Sequence, residues 1–225
     1  MSQRYSTASR RFFGMRLTAP LLMLGLSACG SLPTRPVRAA VFDFGPGALD
    51  APTLTQPLGL PLLALADVKV SNGALDKLAV LYRLGYADAQ QLRPYALAHW
   101  SMPAAGLVQQ QLRQILCQQY AVVPAGEGAA MTREQGKLPL VLQVELEEFS
   151  HFFESPTVSF GLLRLRATLI ENTSVGAKVL AQRQVLSRQP ASTPDAHGGV
   201  RALGAATDAA ARELATWLAQ REVSR

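Results

Sequence analysis

Cysteine, histidine, acidic residues and long apolar runs are all scarce in this chain. Two cysteines and three histidines occur in 225 residues. Two cysteines allow one disulfide at most, so a disulfide-stapled scaffold is excluded. Cys117 falls late in a glutamine-rich helical pattern and reads as a small apolar residue rather than a reactive thiol. The histidines, His99, His151 and His197, lie in separate segments. His151 with Glu154, and Asp195 with His197, come nearest to a metal-ligand spacing. The first pair sits at a strand end with no further histidine close by, and the second reads as the loop that starts a helix, so no metal is expected. No apolar run approaches the ~20 residues that a membrane-spanning helix needs. There are 16 acidic against 22 basic residues, a net charge of +6. Residues 1–28 hold four arginines and no acid, so the 225 − 28 = 197 residues that follow carry 6 − 4 = +2. That balance gives no electrostatic case for nucleic acid. The chain also lacks a Gly-x-Ser-x-Gly elbow, a phosphate loop and a zincin motif. Glu145, Glu147 and Glu148 read as a solvated strand face and its neighbour rather than an acid–base pair. No catalytic residue is expected.

What is present begins at the N-terminus. Arg4, Arg10, Arg11 and Arg16 precede an apolar run of ten residues, Leu17 to Leu26, interrupted by Thr18, Pro20 and Gly25. Half the length of a spanning helix, this run reads as the apolar part of an export signal. Leu26-Ser27-Ala28-Cys29 follows it directly and resembles the lipobox of bacterial lipoproteins. The resemblance implies a signal peptide over 1–28, removed on maturation, and an acylated Cys29 as the new first residue. Several acyl chains, palmitate among them, would form a firm anchor. No other cofactor is expected. Gly30 stands where aspartate would retain such proteins in the inner membrane of many species, which implies the outer membrane, facing the periplasm. Ser9-Arg10-Arg11-Phe12-Phe13 is similar to a twin-arginine export signal, so that route and the general secretory route both stay open.

Residues 29–39 contain two prolines and two arginines and read as a tether of at most about 35 Å when extended. Beyond it, hydrophobic periodicity places the elements. Strands are expected at Val41–Phe44, Leu62–Val70 and Leu78–Leu84, and near Tyr95 and Leu97, where Pro94 marks an edge. Residues 45–60 and 124–137 read as loops. Pro103 opens a helix with Leu107, Val108, Leu112, Ile115 and Leu116 on one face. Strands follow at Tyr120–Val123, Leu140–Phe149 and Val158–Ile170. The last changes phase between Leu162 and Leu163, as a bulge beside Gly161 would require. A hairpin turn over Glu171–Ala177 leads to a return strand, Lys178–Leu186. Val200–Val223 is the final helix. The sum is an α+β fold: a single domain, 40–225, with a mixed, largely antiparallel sheet packed against two main helices. Trp100 and Trp217 are expected in its core.

One patch stands out. Phe149, Phe152, Phe153 and Phe160 crowd around a hairpin tip at Ser155-Pro156. They either pack beneath their own turn or form a contact surface, and Phe152 and Phe153 are the candidate partner-binding residues.

Tyr82-Arg83, then Leu92-Arg93-Pro94-Tyr95, then Trp100-Ser101-Met102-Pro103 follow in a definite order. The run Leu146-Glu147-Glu148-Phe149-Ser150-His151-Phe152-Phe153-Glu154-Ser155-Pro156 comes next, followed by Ser159, Leu163-Arg164-Leu165-Arg166-Ala167 and the helix ending near Trp217. Behind a lipobox, this series resembles the PqiC-like auxiliary lipoproteins of ABC-type transporters, over roughly residues 40–220. The resemblance implies a non-enzymatic envelope component. It would work beside an MCE-domain protein, an ABC permease and an ATPase that move lipid between the inner and outer membranes. Phospholipid and a second copy of the chain are further partners left open. Two other classes are weighed against this: an outer-membrane assembly lipoprotein that binds glycolipid or a β-barrel, for which a deep apolar pocket would speak, and an enzyme, for which a polar cluster in a cleft would speak.

Overall fold

The computed structural model describes residues 38–46, 60–126, 138–173 and 175–223. The signal peptide 1–28, Cys29, most of the tether and most of the two expected loops lie outside the described residues.

A fourteen-residue strand, β7 (Leu140–Phe153), organises the domain. Of its expected inward set, Leu142, Val144 and Leu146 are buried and Leu140 is half-buried. The pairing with β8 (Ser159–Thr173) slips between Leu146 and Glu148. This bulge lets Glu147 and Glu148 share the outer face, and it changes the inward set to Phe149, His151 and Phe153. The strand therefore runs on past its expected end.

One edge of β7 is the antiparallel hairpin of β8 with β9 (Gly176–Pro190). The other edge receives three successive segments, all parallel: β2 (Leu62–Leu65) against Leu140–Leu142, β3 (Lys69–Val70) against Glu145–Leu146, and β4 (Ala79–Leu84) against His151–Phe153. The single strand expected over Leu62–Val70 is thus broken at Ala66–Val68. The reason is visible in α2 (Ala104–Leu116), whose Gln109 accepts from the Val68 amide at 2.9 Å and donates to Asp67 at 3.0 Å. Outside β4 lies β5 (Ala89–Trp100), reached through a helical turn, α1 (Gly85–Asp88). β1 (Ala40–Phe42) pairs parallel with the end of β5, and β6 (Ala121–Pro124) parallel with β2.

α2 and α3 (Ala196–Val223) cover one face of the sheet. The expected stripe of α2 is buried throughout. Trp100 and Trp217 are 2% and 4% exposed and belong to the same core. The architecture is therefore the expected α+β domain with two main helices.

One expected bulge is corrected. Pairing on both sides of Gly161 is regular. The phase change arises because both faces are covered there. A Cβ on Gly161 would run into the backbone of Ala202 and Leu203 in α3. On the opposite face the Phe160 ring stacks on Phe152, with Arg188 above it. The β8–β9 slip falls instead between Leu169 and Ile170, and the strands continue to Thr173↔Gly176, shortening the expected turn.

Candidate functional site

The residues that carry the sequence motifs converge at one end of β7. In β5 the pairing jumps from Ala79↔His99 to Leu81↔Pro94, so Tyr95–Ala98 bulge opposite Val80. This bulge turns Tyr95 inward, where its hydroxyl lies 2.8 Å from Nδ1 of His151. Tyr82, directly opposite His151 in β4, packs on Tyr95 with ring centroids 4.6 Å apart. Phe153 closes the group, 4.3 Å from His151 and 6.2 Å from Tyr82. The first turn of α3 roofs it: a Cβ on Gly199 would strike the His151 ring. Asp195 caps that turn, its Oδ1 accepting from the Gly198 amide and the Thr193 hydroxyl, each at 2.8 Å. These two bonds hold its carboxyl below the usual aspartate range. The reading of Asp195-x-His197 as a helix-start loop is met.

Burial dominates the electrostatics. His151 has no exposed surface. Burial pushes its pKa down to about 4, against a weaker upward pull from Asp195. Burial likewise raises Tyr95, with Tyr82 and Asp195 adding to it. Both groups are neutral at physiological pH. The tyrosine hydroxyl and Nδ1 share one hydrogen bond, whose direction follows the imidazole tautomer. Nε2 is buried and has no partner among the described residues. A histidine in this state is a core member, walled off from any substrate.

Behind the same strand lies a second buried contact. Arg83 forks onto Glu148 at 2.9 and 3.2 Å and also donates to the carbonyls of Ala89 and Gln90. Glu148 is therefore paired, not a solvated neighbour. Glu147, on the same face, accepts from Arg164 at 3.1 Å, Gln184 at 3.0 Å and Arg166. Its burial raises its pKa, but these bonds outweigh that and hold the carboxyl below its ordinary value.

The hairpin-tip expectation is corrected for Phe153, which is 7% exposed and lies inside the aromatic cluster. Phe152 is half-buried, wedged between Gly85 and the Phe160 ring at 5.1 Å. The turn itself is tied by Ser155 Oγ, which accepts from the Val158 amide at 3.0 Å. Packing beneath their own turn describes both rings. Cys29 lies outside the described residues. Cys117 is half-buried at the C-terminus of α2. No group of three or more His, Cys, Asp or Glu that could hold a metal exists among the described residues. No helix among them is long and apolar enough to cross a membrane.

A cleft of about 230 Å³ between β1, β5 and the start of α3 is lined by Phe42, Leu97, Ala98 and His197. A groove of about 510 Å³ on the outer sheet face is lined by Asp67, Lys69, Glu145 and Arg166. The first is apolar but small and the second is large but polar, so neither suits an acyl chain.

The Tyr95–His151 contact could not be read from sequence, because its partners are 56 positions apart and the β5 bulge has no local signature. The Arg83–Glu148 pair left a faint one, two adjacent glutamates where the alternation allows a single outward position.

The fold defined here is a two-layer α+β domain, with a mixed sheet under two helices. Among solved structures it is similar to that of a Xanthomonas campestris protein of the DUF330 family, with a TM-score of 0.61, 17% identity, and coverage of 83% of this chain and 100% of that one. A second, an uncharacterized protein, aligns with a TM-score of 0.53 and 14% identity over 80% of this chain and 99% of its own. No family model matches the sequence, and no curated protein does.

Proposed function

We propose that this chain is a membrane-anchored auxiliary lipoprotein of an MCE-type ABC transporter, acting by docking and catalysing nothing. Its anchor is the acylated Cys29, and its place is the outer membrane facing the periplasm. The observation that carries the reading is the convergence of the motif residues. Tyr82, Tyr95, His151 and Phe153, drawn from three separate motifs, form one cluster. The fold likeness to a DUF330 protein, over 83% of this chain, supports the family resemblance. The neutral, enclosed histidine favours docking over catalysis.

Two measurements test this. Mass spectrometry of the mature protein should find an acylated Cys29 at the N-terminus, and Cys29→Ser should abolish processing, since only a thiol forms the thioether. From detergent-solubilised native membranes, the wild-type protein should co-purify with an MCE-domain protein and its permease. An unmodified N-terminus would remove the anchor, and absence of any MCE component would remove the transporter role.

A further inference from the structure

The hairpin strand β9 has a neighbour on one edge. It pairs with β8 along its whole length, and no strand among the described residues occupies its other edge. In an antiparallel ladder, alternate residues turn both backbone groups toward the neighbour and the rest turn them away. The Ala191 amide donates to the Ser159 carbonyl at 2.9 Å, one step beyond the Phe160↔Pro190 pair. That register directs Arg183, Val185, Ser187 and Gln189 at β8. Gln182, Gln184, Leu186 and Arg188 therefore point their N–H and C=O groups outward, and all four are exposed. The open run has defined ends. Pro190, next in the series, has no N–H to offer. On the other side the slip between Leu169 and Ile170 interrupts the ladder.

Charge selects the occupant. Gly176–Pro190 carries Lys178, Arg183 and Arg188 and no acid. Glu213 of α3 answers Arg183 at 2.6 Å, and Arg188 stands over the Phe160 ring, 5.2 Å from its centroid. Lys178 is exposed. Two copies of this strand laid side by side would bring together cations from both and supply no acid of their own. An incoming strand with carboxylates meets complementary charge at Arg188, the cation of the run that no carboxylate answers among the described residues. Between the cations, Leu186 is 53% exposed on the outer face and offers one apolar contact.

We propose that the edge of β9 from Gln182 to Arg188 is a docking site that takes an added strand from an acidic, extended segment of a partner protein. Main-chain bonds supply the affinity and the cations the selection. The proposal rests on the strand edge alone and holds or fails independently of the transporter reading.

The test uses the full-length protein in detergent with two labelled peptides, one alternating glutamate with valine, the other lysine with valine. Amide hydrogen exchange at Gln182, Gln184, Leu186 and Arg188 should be fast in the free protein and slowed about tenfold by the glutamate peptide. The lysine peptide should bind at least about tenfold more weakly. Leu186→Pro removes an outward N–H and no bond to β8, so it should abolish binding of the glutamate peptide while leaving the melting temperature close to the wild type. Arg188→Glu, a surface change, should invert the preference between the peptides even if the proline variant unfolds. Equal binding of the two peptides, no slowing by either, or amides already protected because the protein pairs with itself would each overturn the proposal.

Discussion

The hydroxyl of Tyr95 bonds Nδ1 of His151 across 2.8 Å, joining a bulge in an outer strand to the central one. His151 is fully enclosed, so nothing in solvent can replace the lost partner. Tyr95→Phe should cost about 1–3 kcal/mol, the range for leaving a buried polar group unsatisfied. Chemical denaturation at neutral pH measures it, and an unchanged midpoint would mean that the pair contributes nothing.

The same histidine makes stability depend on pH. An unfolded chain's imidazole titrates near 6.5, and His151 in the fold titrates at about 4. Its neutral form is the native one. The contribution is therefore complete above about pH 6.5 and is lost as pH falls toward 4, to the extent of about 3 kcal/mol. In His151→Phe that part of the acid sensitivity should vanish. Parallel pH profiles for the wild type and the variant would refute the assignment.

Gly161 is where helix α3 rests on β8. Gly161→Ala should cost about 3 kcal/mol, because the added methyl meets helix backbone that cannot yield separately. Gly73→Ala is the control, since nothing lies within 4 Å of its Cβ position; it should stay within about 0.5 kcal/mol. Comparable losses in both would show that α3 does not lie against Gly161 in solution.

Arg83 and Glu148 are 16% and 11% exposed in their side chains. Arg83→Met should cost about 2–3 kcal/mol, less than for a fully buried pair because some solvent reaches both groups. Adding Glu148→Leu should recover most of that loss. A double-mutant cycle reads the coupling, and additive losses would show that the two groups act separately.

Sequence periodicity located the long strands and both helices because each buries one face over many residues, as in Leu140–Leu146 and Leu107–Leu116. It failed where the pattern has a non-local cause. Gly161 and Phe160 are covered from opposite sides by elements distant in sequence. The break at Ala66–Val68 depends on a glutamine of α2. The parallel pairing of β2, β3 and β4 leaves no trace in their own residues. Of the candidate site, the aromatic residues were legible but their direction was not. The bulge at Glu147 reverses which members of Phe149–Phe153 face inward, and it depends on the register with β8.

Because β2, β3 and β4 all dock in parallel on β7, their pairing partner is made after them. Leu62–Leu84 leaves the ribosome well before Leu140–Phe153 exists. Until then only β4 with β5 and β2 with β6 have a strand partner already made. The β7–β8–β9 meander is local and can form alone, and it then serves as the template onto which the earlier segments return across long loops. The order of pairing along β7 thus cannot follow the order of synthesis.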